Sequence, residues 1–72
     1  MKVGDLVKLR EDYDLDADPF KHELEPAVGY VGVVTRVFKP RDTLNPYIVA
    51  VFSNGHVVNF FYGGKFIVVS ST

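Results

Sequence analysis

The acidic side chains between residues 12 and 23 are the part of the sequence best suited to bind a metal ion. Asp12, Asp14 and Asp16 recur at every second position, and Glu23 follows further along the chain. Carboxylates at this spacing match the ligands of a calcium-binding loop, because Ca²⁺ prefers several hard oxygen donors. Ala17, however, occupies the position at which such a loop needs glycine for its sharp turn. We therefore treat weak calcium binding through these acids as an alternative, and expect no bound metal or cofactor.

The same carboxylates belong to a longer acidic segment, residues 10–29, which contains seven of the nine acidic residues of the chain. These are Glu11, Asp12, Asp14, Asp16, Asp18, Glu23 and Glu25. The segment has neither strand nor helix periodicity and includes two prolines, so we expect one long loop. Loops of this length in compact domains are usually functional or disordered. We predict that Asp12, Asp14, Asp16 and Asp18 contact a partner protein with a basic or aromatic-accepting surface, where their charge would speed association.

Consecutive aromatic residues provide a second candidate contact surface. Side chains alternate between the two faces of a strand, so at least one of Phe60 and Phe61 must face away from the core. About half of the ten aromatic residues should fill the core, and the remainder could form an exposed patch. We predict partner contacts at Tyr47, Phe61 and Tyr62. The alternative is that the acidic segment folds back and covers these rings.

Catalytic motifs are missing from the sequence. The chain has no cysteine, and its two histidines show no metal-ligand spacing. Its serines have no recognisable triad neighbourhood. The run from Gly63 to Lys65 lacks the remaining glycine, the Ser or Thr and the helix of a phosphate-binding loop. We therefore expect a protein that is not an enzyme.

Short runs of β-branched and aromatic residues, separated by turn residues, predict an all-β fold. The predicted strands are residues 3–9, 30–38, 47–52, 56–61 and 66–70. Gly32 is predicted to mark a bend, and Asn54-Gly55 to form a type I′ hairpin turn with positive φ at both residues. Residues 62–65 are expected to form a short 3₁₀ turn, and no segment has the periodicity of a helix.

The length of 72 residues predicts a single domain spanning residues 1–72. The longest apolar runs are about five residues, far short of the ~20 needed to cross a bilayer, so we expect a cytoplasmic protein without membrane contact. The net charge of −1 gives no electrostatic reason to expect a nucleic-acid partner.

Several segments together resemble the small SH3-like and KOW-like barrel proteins. Residues 3–9 place a Gly-Asp turn before an alternating strand, residues 29–34 follow a G-x-x-G-x-V pattern, and residues 47–55 run from a strand into a hairpin. The resemblance implies a small five-stranded SH3-like partly open barrel with a long acidic first loop. Similar chains include accessory subunits of photosynthetic complexes and uncharacterised bacteriophage proteins. We therefore expect a non-catalytic protein–protein interaction module or accessory subunit, with a phage origin as one hypothesis.

Two further hypotheses concern the partner. A KOW-like nucleic-acid-binding barrel would use a basic stripe made of Arg36, Lys39, Arg41 and Lys65. Its affinity would fall steeply with salt, because phosphate contacts release counterions. Alternatively, the aromatic strands could pair two or more copies of the chain in a homo-oligomer.

Overall fold

A computed structural model of the chain describes residues 1–39 and 46–70. These residues form five strands in one antiparallel sheet: β1 (Leu6–Leu9), β2 (Gly32–Phe38), β3 (Tyr47–Phe52), β4 (Val57–Tyr62) and β5 (Phe66–Ser70). The strand order is β4-β3-β2-β1-β5, so β4 and β5 are the two edges and the sheet is not closed in the described part of the chain. The all-β prediction is confirmed.

The core lies on one face of this sheet. Alternate residues of the strands point inward, as the period of two requires, and pack with two residues of the acidic segment. The buried apolar residues are Val7, Leu9, Leu24, Ala27, Val34, Ile48, Ala50, Phe52, Val58, Phe61 and Phe66. The acidic segment therefore helps to form the core, because Leu24 and Ala27 are fully buried.

Gly32, where we predicted a bend, is a site of close packing and has no register shift in its pairing with β1 or β3. A Cβ atom at Gly32 would lie 3.0 Å from three ring carbons of Phe52, closer than an ordinary van der Waals contact, so this buried ring would have to shift to admit a side chain. The irregularity of β2 lies further on, where its register with β3 shifts between Val34 and Arg36. Such a bulge bends the strand without using the glycine.

The hairpin between β3 and β4 also differs from the prediction. Gly55 has a φ of 85°, but Asn54 is not among the described residues with positive φ, so the turn is not type I′. The Gly55 N–H donates to the Phe52 carbonyl (2.8 Å), and the Phe52 N–H donates to the His56 carbonyl (2.8 Å). This pattern is a three-residue loop that ends with glycine in the left-handed conformation.

The acidic segment is built of short helical turns, so the prediction of a chain without helix is wrong at this point. It contains the single α-helical turn α1 (Lys21–Leu24) between the 3₁₀ turns Leu15–Ala17 and Glu25–Ala27. The β3–β4 hairpin holds this part in place: Asn54 Nδ2 donates to the Pro26 carbonyl (2.9 Å), and His56 Nε2 donates to the Glu23 carbonyl (2.5 Å). None of the described helices is long and apolar enough to cross a membrane.

A short turn precedes each of the strands β1 and β5. β1 begins at Leu6 and not at residue 3, because the Asp5 N–H donates to the Lys2 carbonyl (3.1 Å) and the Lys2 N–H donates to the Asp5 carboxylate (2.9 Å). These bonds make residues 2–5 a turn. The predicted 3₁₀ turn before β5 is confirmed at Gly63–Lys65.

Candidate functional site

A bulge in β4 determines which aromatic side chains reach the surface. Ile48 of β3 pairs with Phe61, but the next residue, Val49, pairs with Asn59, so Phe60 has no partner across the ladder. Phe60 has a φ of 63°, which makes it the only residue other than glycine with positive φ in the described chain. The extra residue shifts the alternation of β4 by one position, so that Phe60 points outward and Phe61 points into the core. Phe61 is 6% exposed and Phe60 is 53% exposed.

The exposed ring of Phe60 is the centre of an aromatic patch, which we define as Phe38, Tyr47, Phe60 and Tyr62. Phe60 stacks on Tyr47 with 5.0 Å between ring centroids, and Phe38 meets Phe60 edge to face at 5.3 Å. Tyr62 meets Tyr47 edge to face, with 5.7 Å between ring centroids. Phe38 and Tyr47 are directly paired between β2 and β3, so the patch spans the ends of β2, β3 and β4.

The predicted aromatic contacts are therefore divided between surface and core. Tyr47 and Tyr62 are half-buried members of the aromatic patch. Phe61 is buried on the core side, where a partner cannot reach its ring. Phe60 takes the outward place, which we did not assign to it from the sequence. The sequence did indicate an exposed ring in this strand, because any alternation of three consecutive aromatic residues leaves at least one of them on the solvent side.

The acidic segment places an aromatic ring against the buried Phe61 and none against the rings of the aromatic patch in the described residues. Phe20, which directly precedes α1, meets Phe61 edge to face at 5.6 Å. No ring contact between the acidic segment and the patch residues is found in the described structure. Fewer aromatic residues are buried than we expected: only Phe52, Phe61 and Phe66 are fully in the core among the described residues.

Asp18 and Lys65 form a buried ion pair that attaches the acidic segment to the turn before β5. Lys65 Nζ lies 2.7 Å from Asp18 Oδ2, and the side chains are 16% and 1% exposed. The Tyr13 hydroxyl donates to the same carboxylate, and the Phe20 N–H donates to its other oxygen at 2.7 Å. The ammonium group of Lys65 also lies 5.2 Å from the ring centroid of Phe61. Asp18 is thus inaccessible to the partner contact that we predicted for it.

The protonation of this pair is determined by competition between burial and hydrogen bonding. Burial alone would raise the pKa of Asp18, but the hydrogen bonds from Lys65, Tyr13 and the Phe20 amide outweigh it and lower this pKa to about 2. Burial raises the pKa of Tyr13, and its hydrogen bond to Asp18 raises it further. Near neutral pH Asp18 is therefore a charged carboxylate and Tyr13 a neutral phenol.

Three of the six other acidic side chains of the segment are paired within the protein. Asp12 is 3.0 Å from Arg10, Asp16 is 2.7 Å from Lys21, and Glu11 is 3.1 Å from Lys8. Asp14, Glu23 and Glu25 are the acids of this segment that form no such close ion pair with the described residues. Of the four aspartates for which we predicted a partner contact, only Asp14 forms no close ion pair with the described residues.

The structure does not bring the predicted calcium ligands together. In the described part of the chain, no three His, Cys, Asp or Glu residues are grouped so that they could hold a metal ion. Asp12 and Asp16 instead bind separate basic side chains. The hydrogen bonds from these side chains lower the pKa of each of the two carboxyl groups.

A groove of about 300 Å³ lies between α1 and the end of β4, next to the aromatic patch. Its lining residues are Phe20, Glu23, Tyr47, Asn59, Phe60, Phe61, Tyr62 and Lys65. Aromatic rings provide most of this lining, and Glu23 is the one carboxylate residue in it. Because Lys65 is bound by Asp18, the groove combines an aromatic wall with the side chain of Glu23, which has no close ion pair within the described part of the chain.

The predicted basic stripe is not assembled in the described residues. Lys65 is mostly buried by its ion pair, and the guanidinium of Arg36 lies 5.3 Å from the ring centroid of Phe38. Lys39 is exposed beyond the end of β2, and Arg41 lies outside the described residues. Lys65, which we predicted to be part of the stripe, instead forms an ion pair with Asp18 inside the fold.

A second apolar surface lies on the outer face of the sheet. Leu6, Val33, Val51 and Val57 are paired in one continuous row across β1, β2, β3 and β4, and each is more than a third exposed. The row consists of aliphatic residues with regular strand pairing, whereas the aromatic patch combines stacked rings with a positive φ. Partly exposed aliphatic residues are ordinary on protein surfaces, so we regard the patch as the stronger candidate site.

The geometry described above is the basis for assigning a function to this chain. Comparison with protein families, with curated proteins and with solved structures finds no match.

Proposed function

We propose that this protein is a non-catalytic protein–protein interaction module or accessory subunit, and that it docks its partner on the aromatic patch. The observation that carries the proposal is the conformation of Phe60, a bulky residue with positive φ whose ring is 53% exposed. A residue other than glycine in this region costs about 1–3 kcal/mol, and such strain is concentrated at functional sites. An alternating strand without the bulge would place one fewer ring on the surface.

The composition of the patch supports a protein partner. Tyr and Phe are enriched at protein interfaces, and a few aromatic residues commonly provide most of the binding free energy. Tyr47 and Phe60 offer a stacked pair whose faces and edges are held by neighbouring rings, so little side-chain entropy remains to be lost on binding. Basic side chains on the partner would complement Glu23, which lies beside the patch.

We further propose that the fold is a partly open barrel of the SH3-like kind. The strand order β4-β3-β2-β1-β5, the long connection before β2 and the 3₁₀ turn before β5 support this architecture. Bulges in the β1–β5, β2–β3 and β3–β4 pairings increase the local bending that barrel closure needs. A phage-encoded accessory protein is compatible with this proposal, and a nucleic-acid-binding barrel is less well supported because Lys65 is mostly buried in its ion pair with Asp18.

A capture experiment with matched variants tests the docking proposal. Immobilised wild type, Phe60→Asn and Val57→Asn proteins would be incubated with lysate of the source organism, and retained proteins quantified by mass spectrometry. Asn tolerates positive φ, so the first variant removes the ring but not the bulge. Val57 is an equally exposed residue of the same strand, outside the patch. We expect a protein that wild type and Val57→Asn retain and Phe60→Asn loses; equal retention by all three would contradict the proposal.

A further inference from the structure

We infer that the groove beside the aromatic patch receives an arginine side chain of the partner, with its guanidinium against the aromatic wall and paired with Glu23. This inference rests on the proposed function and specifies the chemistry of the contact. Three observations support it. Aromatic rings line the groove, Glu23 forms no close ion pair with the described residues, and the protein already places its own cations against rings in this region.

The lining of the groove suits a planar cation. Tyr47, Phe60 and Tyr62 provide ring faces and edges at one side, and Phe20 provides a half-exposed ring at the other. A cation near an aromatic face is attracted by the quadrupole of the ring. Guanidinium is planar and weakly hydrated, so it stacks on such rings with less desolvation than an ammonium ion.

The charges of the groove favour the same occupant. Lys65, the one basic residue in its lining, donates to Asp18 at 2.7 Å and is 16% exposed. Glu23 is exposed and forms no close ion pair with the described residues. A positively charged partner residue would therefore find one carboxylate available and no repulsion from an uncompensated lysine.

The protein itself places cations against the rings of this region. The guanidinium carbon of Arg36 is 5.3 Å from the ring centroid of Phe38 in the patch. Lys65 Nζ lies 5.6 Å from the ring centroid of Phe20 and 5.2 Å from that of Phe61. The ring of Tyr47, in the outer wall of the groove, has no cation from the described residues against it. An arginine from the partner would extend the same arrangement to this wall.

Nuclear magnetic resonance titration with two blocked tripeptides tests the inference. The probes are acetyl-Leu-Arg-Leu-amide and its citrulline counterpart, which has the same shape without the charge. We expect the arginine peptide to shift the resonances of Glu23, Tyr47 and Phe60, and to bind about two- to tenfold more tightly than the citrulline peptide. Glu23→Gln should remove this preference. Glu11→Gln, which changes an acid outside the groove, should retain it.

Three results would overturn the inference: no binding of the arginine peptide, equal binding of both peptides, or shifts confined to residues outside the groove. Such a failure is distinct from a failure of the proposed function. If the arginine peptide does not bind but retention of a partner still requires Phe60, the patch docks a protein without an arginine in the groove. If retention does not require Phe60, the docking proposal itself is wrong.

Discussion

Replacing Asp18 by asparagine tests whether the acidic segment is held to the sheet by a buried ion pair. The Asp18→Asn variant keeps the size of the side chain but removes its charge, and it leaves one oxygen to accept the bonds from Tyr13, Phe20 and Lys65. The ammonium group of Lys65 then remains mostly buried without a counter-charge. Breaking one partner of a buried pair is strongly destabilising for this reason.

The magnitude can be worked out in two ways. Lowering the pKa of Asp18 from 3.8 to about 2 corresponds to about 2 kcal/mol of stabilisation of the charged form. Removing one partner of a fully buried pair costs about 3–5 kcal/mol, and the 16% exposure of Lys65 reduces this value because its head group can reach water. We therefore expect a loss of about 2–4 kcal/mol. A chain of this length has a free energy of unfolding of about 4–11 kcal/mol in total.

The pH dependence gives an independent check. The pKa of Asp18 is lower in the folded state than in the unfolded chain, so its stabilisation is complete above about pH 4. It is lost as the pH falls through about 2. Asparagine does not titrate, so the difference in stability between wild type and Asp18→Asn should be constant from pH 7 to about 4 and should shrink towards pH 2.

Urea unfolding followed by circular dichroism at each pH measures these differences. Asp16→Asn is the matched control, because Asp16 is also 2.7 Å from a lysine but its side chain is 85% exposed. Solvent screens such a surface pair, so we expect no resolvable change in this variant. Equal effects of the two substitutions, or a wild-type advantage over Asp18→Asn that does not shrink at low pH, would refute the account of the buried pair.

Three other predictions concern packing, strain and the hairpin. Gly32→Ala should destabilise the fold by about 1–3 kcal/mol, because the added methyl group would press against the Phe52 ring. Adding Phe52→Leu should restore part of the lost free energy of unfolding, measured by urea unfolding. Additive losses from the two substitutions would contradict this packing. Phe60→Val should be about 1 kcal/mol less stable than Phe60→Asn, because a β-branched residue tolerates positive φ poorly; equal unfolding free energies would argue against the strained bulge. Asn54→Ala should speed tryptic cleavage after Lys21, because it frees the Pro26 carbonyl from the hairpin; an unchanged cleavage rate would show that this bond does not hold the acidic segment.

The parts of the fold that were predictable are those specified by neighbouring residues. β3 and β5 have the bounds that we predicted, because each is a run of β-branched and aromatic residues between turn residues. The 3₁₀ turn at Gly63–Lys65 was likewise evident from its two glycines. The turn at Asn54 was placed correctly but its type was wrong, since a two-residue and a three-residue loop share the same Asn-Gly signal.

The parts that were not predictable depend on contacts between distant residues. Asp18 and Lys65 are 47 positions apart, and nothing in the local pattern distinguishes Asp18 from the exposed acids around it. We predicted a partner contact for Phe61, but a bulge in the pairing with β3 shifts the alternation by one residue, so Phe61 is buried and Phe60 is exposed. Helical turns form in the acidic segment because Leu24 and Ala27 can be buried against the sheet, although four residues are too few for a helix period to be recognised.

Photo-crosslinking at position 60 tests the central claim most directly. Benzoylphenylalanine, an aromatic residue that can occupy the place of Phe60, would be introduced there and, in a second protein, at position 57 of the same strand. We predict that irradiation in source-organism lysate gives one discrete adduct from position 60, that Tyr47→Ser abolishes this adduct, and that position 57 does not produce it. No adduct from position 60, or the same adduct from both positions, would contradict docking on the aromatic patch.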